Sequence, residues 1–215
     1  MKLPYIVIGS GGHAAVVADA LLASGETLLG FTDADPARHG GTLCGRPVLG
    51  DDASVLAAHE PAGVLLANGI GGVRDTALRQ RVQWRLQAQG WVFAAVRHPS
   101  AIVSPFARLG DGVQLFAASV VQPGAEIGAD CIVNTAAVVE HDCRLGAQVH
   151  VAPRALLCGG VTVGARSHIG AGAVVRQGLR LGDDTVVGAG AVVVKDFAGG
   201  GTLVGVPAQA MAEQE

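Results

Sequence analysis

The sequence predicts two folds in series, an α/β half-Rossmann βαβ domain over residues 1–97 and a parallel β-helix over 98–195, followed by a tail over 196–215. Three observations carry this reading. From Val103 to Val193 every sixth residue is Val, Leu or Ile, at sixteen consecutive positions with no insertion. Gly110, Gly128, Gly146, Gly164 and Gly182 recur every eighteen residues on top of that period, so three hexads close one coil. Ahead of the repeat, Tyr5 to Ile8 runs into Gly9-Ser10-Gly11-Gly12-His13-Ala14, a strand, a glycine turn and the start of a helix.

A hexapeptide period is the signature of a parallel β-helix. One apolar residue in six points inward from each face of a triangular coil. Two positions earlier the side chain is small or β-branched, as at Ala125, Cys131, Ala137, Cys143, Ala155, Ser167, Ala173 and Thr185. The eighteen-residue glycines are expected to supply the backbone angles of one corner. Coils stack at the strand spacing of roughly 4.8 Å.

In the first domain the spacing Gly9-x-Gly11-x-x-Ala14 matches a dinucleotide fingerprint. It predicts a helix to about Ala23, with the backbone N–H groups of Gly11, Gly12 and His13 facing a phosphate at its N-terminus. A second strand, Thr27 to Phe31, leads to Asp33-Ala34-Asp35, where a ribose-binding carboxylate would sit. Further strands are predicted at Gly45 to Leu49, Gly63 to Ala67 and Trp91 to Val96, with a helix at Ala53 to His59. A second glycine loop, Asn68-Gly69-Ile70-Gly71-Gly72, precedes a helix over Val73 to Gln89 that presents Arg74, Asp75, Arg79, Arg81 and Arg85 as its charged face. About 97 residues make half a dinucleotide domain, enough for one mononucleotide.

Composition narrows the function. A net charge of −3 gives no basic field for nucleic acid. Hydrophobic residues reach 50% while aromatics stay at 4%, which suits a core of small aliphatics. Cys44, Cys131, Cys143 and Cys158 show no metal-ligand spacing, so no metal is expected. They read as reduced thiols of a cytoplasmic protein. No apolar run spans a membrane and no signal peptide opens the chain.

Three histidines lie within the repeat: His141, His150 and His168. His141 and His150 are nine residues apart, half a coil, so one chain puts them on opposite sides of the prism. They converge only where neighbouring subunits supply the two walls of a groove, which predicts a homotrimer with active sites between subunits. Gly159, Gln177 and Lys195 continue the His141 column, with Lys195 roughly 14 Å away, while Ala171 and Ala189 stack on the side nearer His150. A long, narrow ligand fits such a groove.

The motifs Gly11-Gly12-His13, Asn134-Thr135, Glu140-His141-Asp142-Cys143, His150-Val151 and Val204-Gly205-Val206-Pro207-Ala208 resemble the nucleotide-sugar N-acetyltransferases of the left-handed β-helix superfamily, over nearly the whole chain. Sialic-acid O-acetyltransferases look similar. The left hand of the helix is implied by this resemblance, since ordinary parallel crossovers are right-handed. So is the activity: transfer of acetyl from acetyl-CoA to the 4-amino group of a nucleotide-linked 4-amino-4,6-dideoxysugar such as GDP-perosamine, for surface polysaccharide. The resemblance makes His141 the proton acceptor, oriented by Asp142, where many relatives carry Glu, and groups Asn134 with them. It sets His150 beside the thioester, the Gly159 N–H on the thioester carbonyl, and Ala171 and Ala189 along acetyl-CoA, while the column spacing places the charged end of such a ligand by Lys195. It gives Gly11, Gly12, His13, Asp33, Ala34 and Gly69 to the nucleotide sugar, and the tail to the surroundings of the CoA site.

The implied chemistry is direct attack of a neutral amine on the thioester, with no acyl-enzyme. A UDP-4-amino-sugar acceptor and sialic-acid O-acetylation stand as alternatives. From another class, a nicotinamide-dependent oxidoreductase would use the same glycine fingerprint, but only half of its domain is present. A scaffold β-helix without catalysis is the remaining alternative.

Overall fold

The structure, a computed structural model, describes residues 2–72 and 77–211. The chain divides into two compact units, Met1–Pro99 and Ser100–Glu215.

The first unit is built in the order β1 (Tyr5–Ile8), α1 (Gly12–Ala23), β2 (Leu28–Thr32), β3 (Thr42–Leu43), β4 (Arg46–Gly50), α2 (Asp52–Leu56), β5 (Leu65–Asn68) and α3 (Ala77–Ala88). The sheet order is β3-β4-β2-β1-β5, parallel except for the β3–β4 hairpin. β1 lies at the centre and is buried along its length, as its unbroken apolar run requires. Strands β2 and β4 are added on one side of β1, and the chain then crosses to add β5 on the other. The carboxyl ends of β1 and β5 therefore flank a topological switch point, where open α/β sheets bind ligands.

Three expectations for this unit change. The strand expected at Trp91 to Val96 is reduced to one bridge, Leu66 to Phe93, and a short strand at Val96–Arg97. Only Leu66 offers both backbone groups, its N–H to Val92 and its C=O to the Ala94 N–H, at 2.9 Å each. The helix expected to reach His59 ends at Leu56, where the Ala58 and His59 N–H groups bond three residues back and tighten the last turn. Arg79, read as part of the helix's charged face, is only 3% exposed. Of the other charges on that helix, Arg74 and Asp75 lie outside the described residues.

The second unit is a triangular coil with an eighteen-residue register. Its first face stacks the two-residue strands that start at residues 102, 120, 138, 156, 174 and 192; its second, those at 108, 126, 144, 162 and 180. The third face carries those at 114, 132, 150, 168 and 186, and is extended by Thr202–Val204 with Gln209–Ala210 folded back antiparallel on it. Repeat positions from Leu115 to Val193 all point inward and are at most 5% exposed. Leu109, in the first coil, is 41% exposed because no coil lies beneath it. The inward thiols of Cys131 and Cys143 donate to the carbonyls of Gly146 and Cys158, at 3.1 and 3.2 Å.

The corner glycines act through space rather than angle. None of Gly110, Gly128 and Gly146 has a positive φ, but a Cβ on any of them would lie 2.6 Å from the backbone of the next coil. Left-handed corner angles fall elsewhere, on residues such as Ala118, Ala136, Asp142, Gln148 and Arg166, with φ of 55–61°. Such angles cost a residue with a side chain roughly 1–2 kcal/mol, which the stacked coils offset.

On the third face the outward row Gln114, Ile132, His150 and His168 is buried. The His150 and His168 rings meet edge to face at 4.9 Å. The His168 Nδ1 has no hydrogen-bond partner among the described residues, and burial lowers its pKa from 6.5.

Two outcomes follow from these contacts. Gly146→Ala should cost more than about 3 kcal/mol, because backbone has to move. Gly172→Ala, at φ +67° with open space around it, should cost about 1 kcal/mol. Equal losses in urea unfolding would refute the stacking role. For His168, the unfolded chain takes a proton near pH 6.5 while the folded state resists it, so stability is full above that pH and drains as pH falls toward the folded-state value. His168→Leu should therefore flatten the change in urea midpoint between pH 7.5 and 5.5; an unchanged slope would contradict this.

Candidate active site

The carboxyl ends of β1, β2 and β5 enclose a cavity of about 500 Å³ in the first unit. All six residues expected at the nucleotide, Gly11, Gly12, His13, Asp33, Ala34 and Gly69, line it. Gly11 caps α1 without a side-chain bond. The first-turn N–H groups have no acceptor within the helix and sit at its positive end. A Cβ on Gly11 or Gly12 would meet nothing within 4 Å, so both face open space. Gly69 differs: a Cβ there would lie 2.6 Å from Val7 and 2.7 Å from the Ala14 side chain, so the second glycine loop packs tightly on β1 and α1.

Asp33 also holds the first turn together. Its Oδ2 accepts from the Ser10 hydroxyl and, at 3.2 Å, from the Ser10 N–H, while Oδ1 accepts from the Asp35 N–H at 2.9 Å. Burial opposes ionisation of Asp33, but these hydrogen bonds and the Arg38 charge outweigh it and hold the carboxyl below its ordinary value. Ser10 occupies an unspecified position of the glycine fingerprint, and Arg38 lies outside it. Neither shows in the pattern that it braces the turn, with Arg38 donating to the Ser10 carbonyl at 2.9 Å.

In the β-helix, His141 and Asp142 form the corner that follows the first face. The His141 Nδ1 lies 2.9 Å from Asp142 Oδ2, and both side chains are exposed. The pair is fitted between two glycines. A Cβ on Gly159, one coil above, would lie 2.5 Å from His141 Nε2, and a Cβ on Gly124, one coil below, would strike Asp142 Oδ1. With Nδ1–H given to the carboxylate, Nε2 keeps its lone pair and points at the Gly159 backbone, whose N–H has no partner among the described residues. Lys195 lies exposed higher on the same corner.

Asn134 and His150 sit elsewhere. The Asn134 Oδ1 accepts from the Thr135 N–H at 2.8 Å, which turns its amide nitrogen toward His150 Nε2 at 3.1 Å. An amide N–H donates, so Nε2 accepts and the ring is neutral, with its proton on Nδ1. Ala171 and Ala189 lie on the corner after this third face, where the Gly190 N–H meets the Ala171 carbonyl at 2.8 Å. One chain thus splits the expected catalytic groups between a corner with His141, Asp142, Gly159 and Lys195 and a face-and-corner with Asn134, His150, Ala171 and Ala189. Cys143, close to His141 in sequence, is fully buried, and burial pushes its thiol up to about 11. Among the described residues no cluster of three or more His, Cys, Asp or Glu could hold a metal ion, and no helix is long and apolar enough to cross a membrane.

Comparison with known proteins agrees with this architecture. Residues 5–86 match the PglD N-terminal domain, residues 142–177 the bacterial transferase hexapeptide and residues 160–195 the hexapeptide repeat of succinyl-transferase. A perosamine N-acetyltransferase from Caulobacter crescentus, crystallised as a histidine-to-asparagine mutant with CoA and GDP-perosamine, is 41% identical over 99% of both chains, with a TM-score of 0.89. The acetyltransferase domain of PglB from Neisseria gonorrhoeae FA1090 is 37% identical over 98% of this chain and 100% of that one, with a TM-score of 0.89. WeeI from Acinetobacter baumannii AYE is 26% identical over 98% and 100%, with a TM-score of 0.81. Among curated proteins none matches significantly. The coil is a left-handed β-helix, and the chain belongs to the hexapeptide-repeat acetyltransferases that carry a PglD-type N-terminal domain.

Proposed function

We propose that the protein transfers acetyl from acetyl-CoA to the 4-amino group of a nucleotide-linked 4-amino-4,6-dideoxysugar, with GDP-perosamine as acceptor. The observation that carries the reading is the His141 ring, tied to Asp142 on one side and packed on the other against Gly159, where a Cβ would strike it. The relative crystallised with CoA and GDP-perosamine supports the choice of substrates. Gly11, Gly12, His13, Asp33, Ala34 and Gly69 hold the nucleotide sugar, and the exposed corners of the β-helix hold CoA.

The amine nitrogen attacks the thioester carbon, and the carbonyl oxygen takes the negative charge. The Gly159 N–H stabilises that oxyanion. His141 Nε2 removes the proton from the attacking nitrogen, and Asp142 fixes the tautomer and the ring and steadies the imidazolium. The intermediate collapses, the C–S bond breaks, and the CoA sulfur leaves with the proton from His141. His150, held by Asn134, stands beside the thioester. Cys143 stays a thiol, so transfer is direct.

The enzyme works as a homotrimer. His141 and Gly159 come from one subunit, His150 and Asn134 from its neighbour. The outward row of the first face, Ile102, Val120, Val138, Leu156, Val174 and Val192, is aliphatic throughout, with Ile102 exposed and the others half-buried, a surface suited to burial against a second copy. The reading places the enzyme in the cytoplasm, where acetyl-CoA is made.

His141→Asn should lower kcat by about 10²–10⁴-fold, the usual contribution of a general base, and leave the KM of both substrates little changed. A kcat within a few-fold of wild type in acetyl transfer to GDP-perosamine would remove His141 from the role of base.

A further inference from the structure

The buried Arg79 does something that neither its helix nor the transfer chemistry accounts for. It is 3% exposed. Its Nη1 donates to the carbonyl of Asn68 at 3.2 Å and to that of Ile70 at 3.1 Å, the two residues flanking Gly69. Asn68 works from the same side. Its Oδ1 accepts from the Ile70 N–H at 3.0 Å, and its Nδ2 donates to Gln83 Oε1 at 2.8 Å. The Gly69 N–H is bound to the Ile8 carbonyl at 2.9 Å. The carbonyls of Asn68 and Ile70 and the N–H groups of Gly69 and Ile70 are thus committed to the protein. The Gly71 N–H is the next donor, has no partner among the described residues, and Gly71 lines the nucleotide cavity. Its Cα lies against the first turn of α1, since a Cβ there would be 3.3 Å from the His13 Cβ.

We propose that Arg79 is a positioning residue for the nucleotide diphosphate. By holding the carbonyls of Asn68 and Ile70 it sets the Gly71 N–H as a second anchor, beside the N-terminus of α1. The first glycine turn and α1 take one phosphate, and the Gly71 N–H takes the other. This rests on the nucleotide-sugar reading above and deepens it. Because the loop's own polar groups are already committed, its shape is set before ligand arrives and little ordering cost remains on binding. The guanidinium acts through the loop and does not touch the ligand, so both Nη1 bonds matter more than the charge.

The test is calorimetric titration of GDP, GMP and CoA into wild type, Arg79→Met and Arg79→Lys. Arg79→Met should raise the Kd for GDP by about ten- to a hundred-fold, the cost of a misplaced hydrogen bond to a charged group. The preference for GDP over GMP should shrink and the Kd for CoA should stay within two-fold. Arg79→Lys, which can still reach one carbonyl, should recover part of the loss. Unchanged GDP affinity in Arg79→Met, or an equal loss for GMP and CoA, would overturn the proposal, the latter marking a merely structural arginine. A wild type that binds CoA but neither nucleotide would overturn the nucleotide reading itself.

Discussion

Everything in the catalytic half depends on the eighteen-residue register between coils, held by backbone hydrogen bonds. The His141 carbonyl accepts from the Gly160 N–H at 2.8 Å, and the Asp142 N–H donates to the Pro123 carbonyl at 3.1 Å. Those two bonds fix the height of the pair against the coils above and below. They drop Gly159 onto the imidazole and Gly124 under the carboxylate, where any side chain would collide. A one-residue slip would move every inward Val and Leu to the surface as well as breaking the site. The core therefore enforces the geometry that the chemistry needs, and the tight glycine column leaves no slack in it.

Much of this is legible in the chain because a solenoid converts sequence position directly into spatial position. The period from Val103 to Val193 reads as inward side chains, and the nine-residue offset between His141 and His150 reads as opposite walls. Other features are not legible, for identifiable reasons. A glycine needed for close stacking looks like a glycine needed for a left-handed angle; Gly146 is the first kind and Gly172 the second. An arginine on a polar helix looks solvated, but the carbonyls of a loop nine and eleven residues earlier hold Arg79 inward. Ser10 and Arg38 acquire their bracing contacts to the first turn from strands brought together by the sheet, which no local pattern encodes.

The two units solve different problems. The α/β unit presents N–H groups at a switch point, which suits the anionic nucleotide proposed for it. The β-helix unit is arranged differently. It presents a reactive corner and a histidine-bearing face that one chain keeps apart, and both His141 and Asp142 stand largely in solvent. A general base of that kind gains its surroundings only when another surface closes over it, which makes assembly part of the proposed catalysis.

The most direct measurement is therefore complementation between subunits. His141→Asn and His150→Ala chains, each inactive in its own trimer, are co-expressed with different tags, and the mixed trimers are isolated and assayed for acetyl transfer from acetyl-CoA to GDP-perosamine. If each site takes His141 from one subunit and His150 from the next, every mixed trimer with closed three-fold symmetry keeps one complete site of three, so about a third of wild-type activity returns. Mixed trimers as inactive as either parent would contradict the account, because both histidines would then have to come from the same chain.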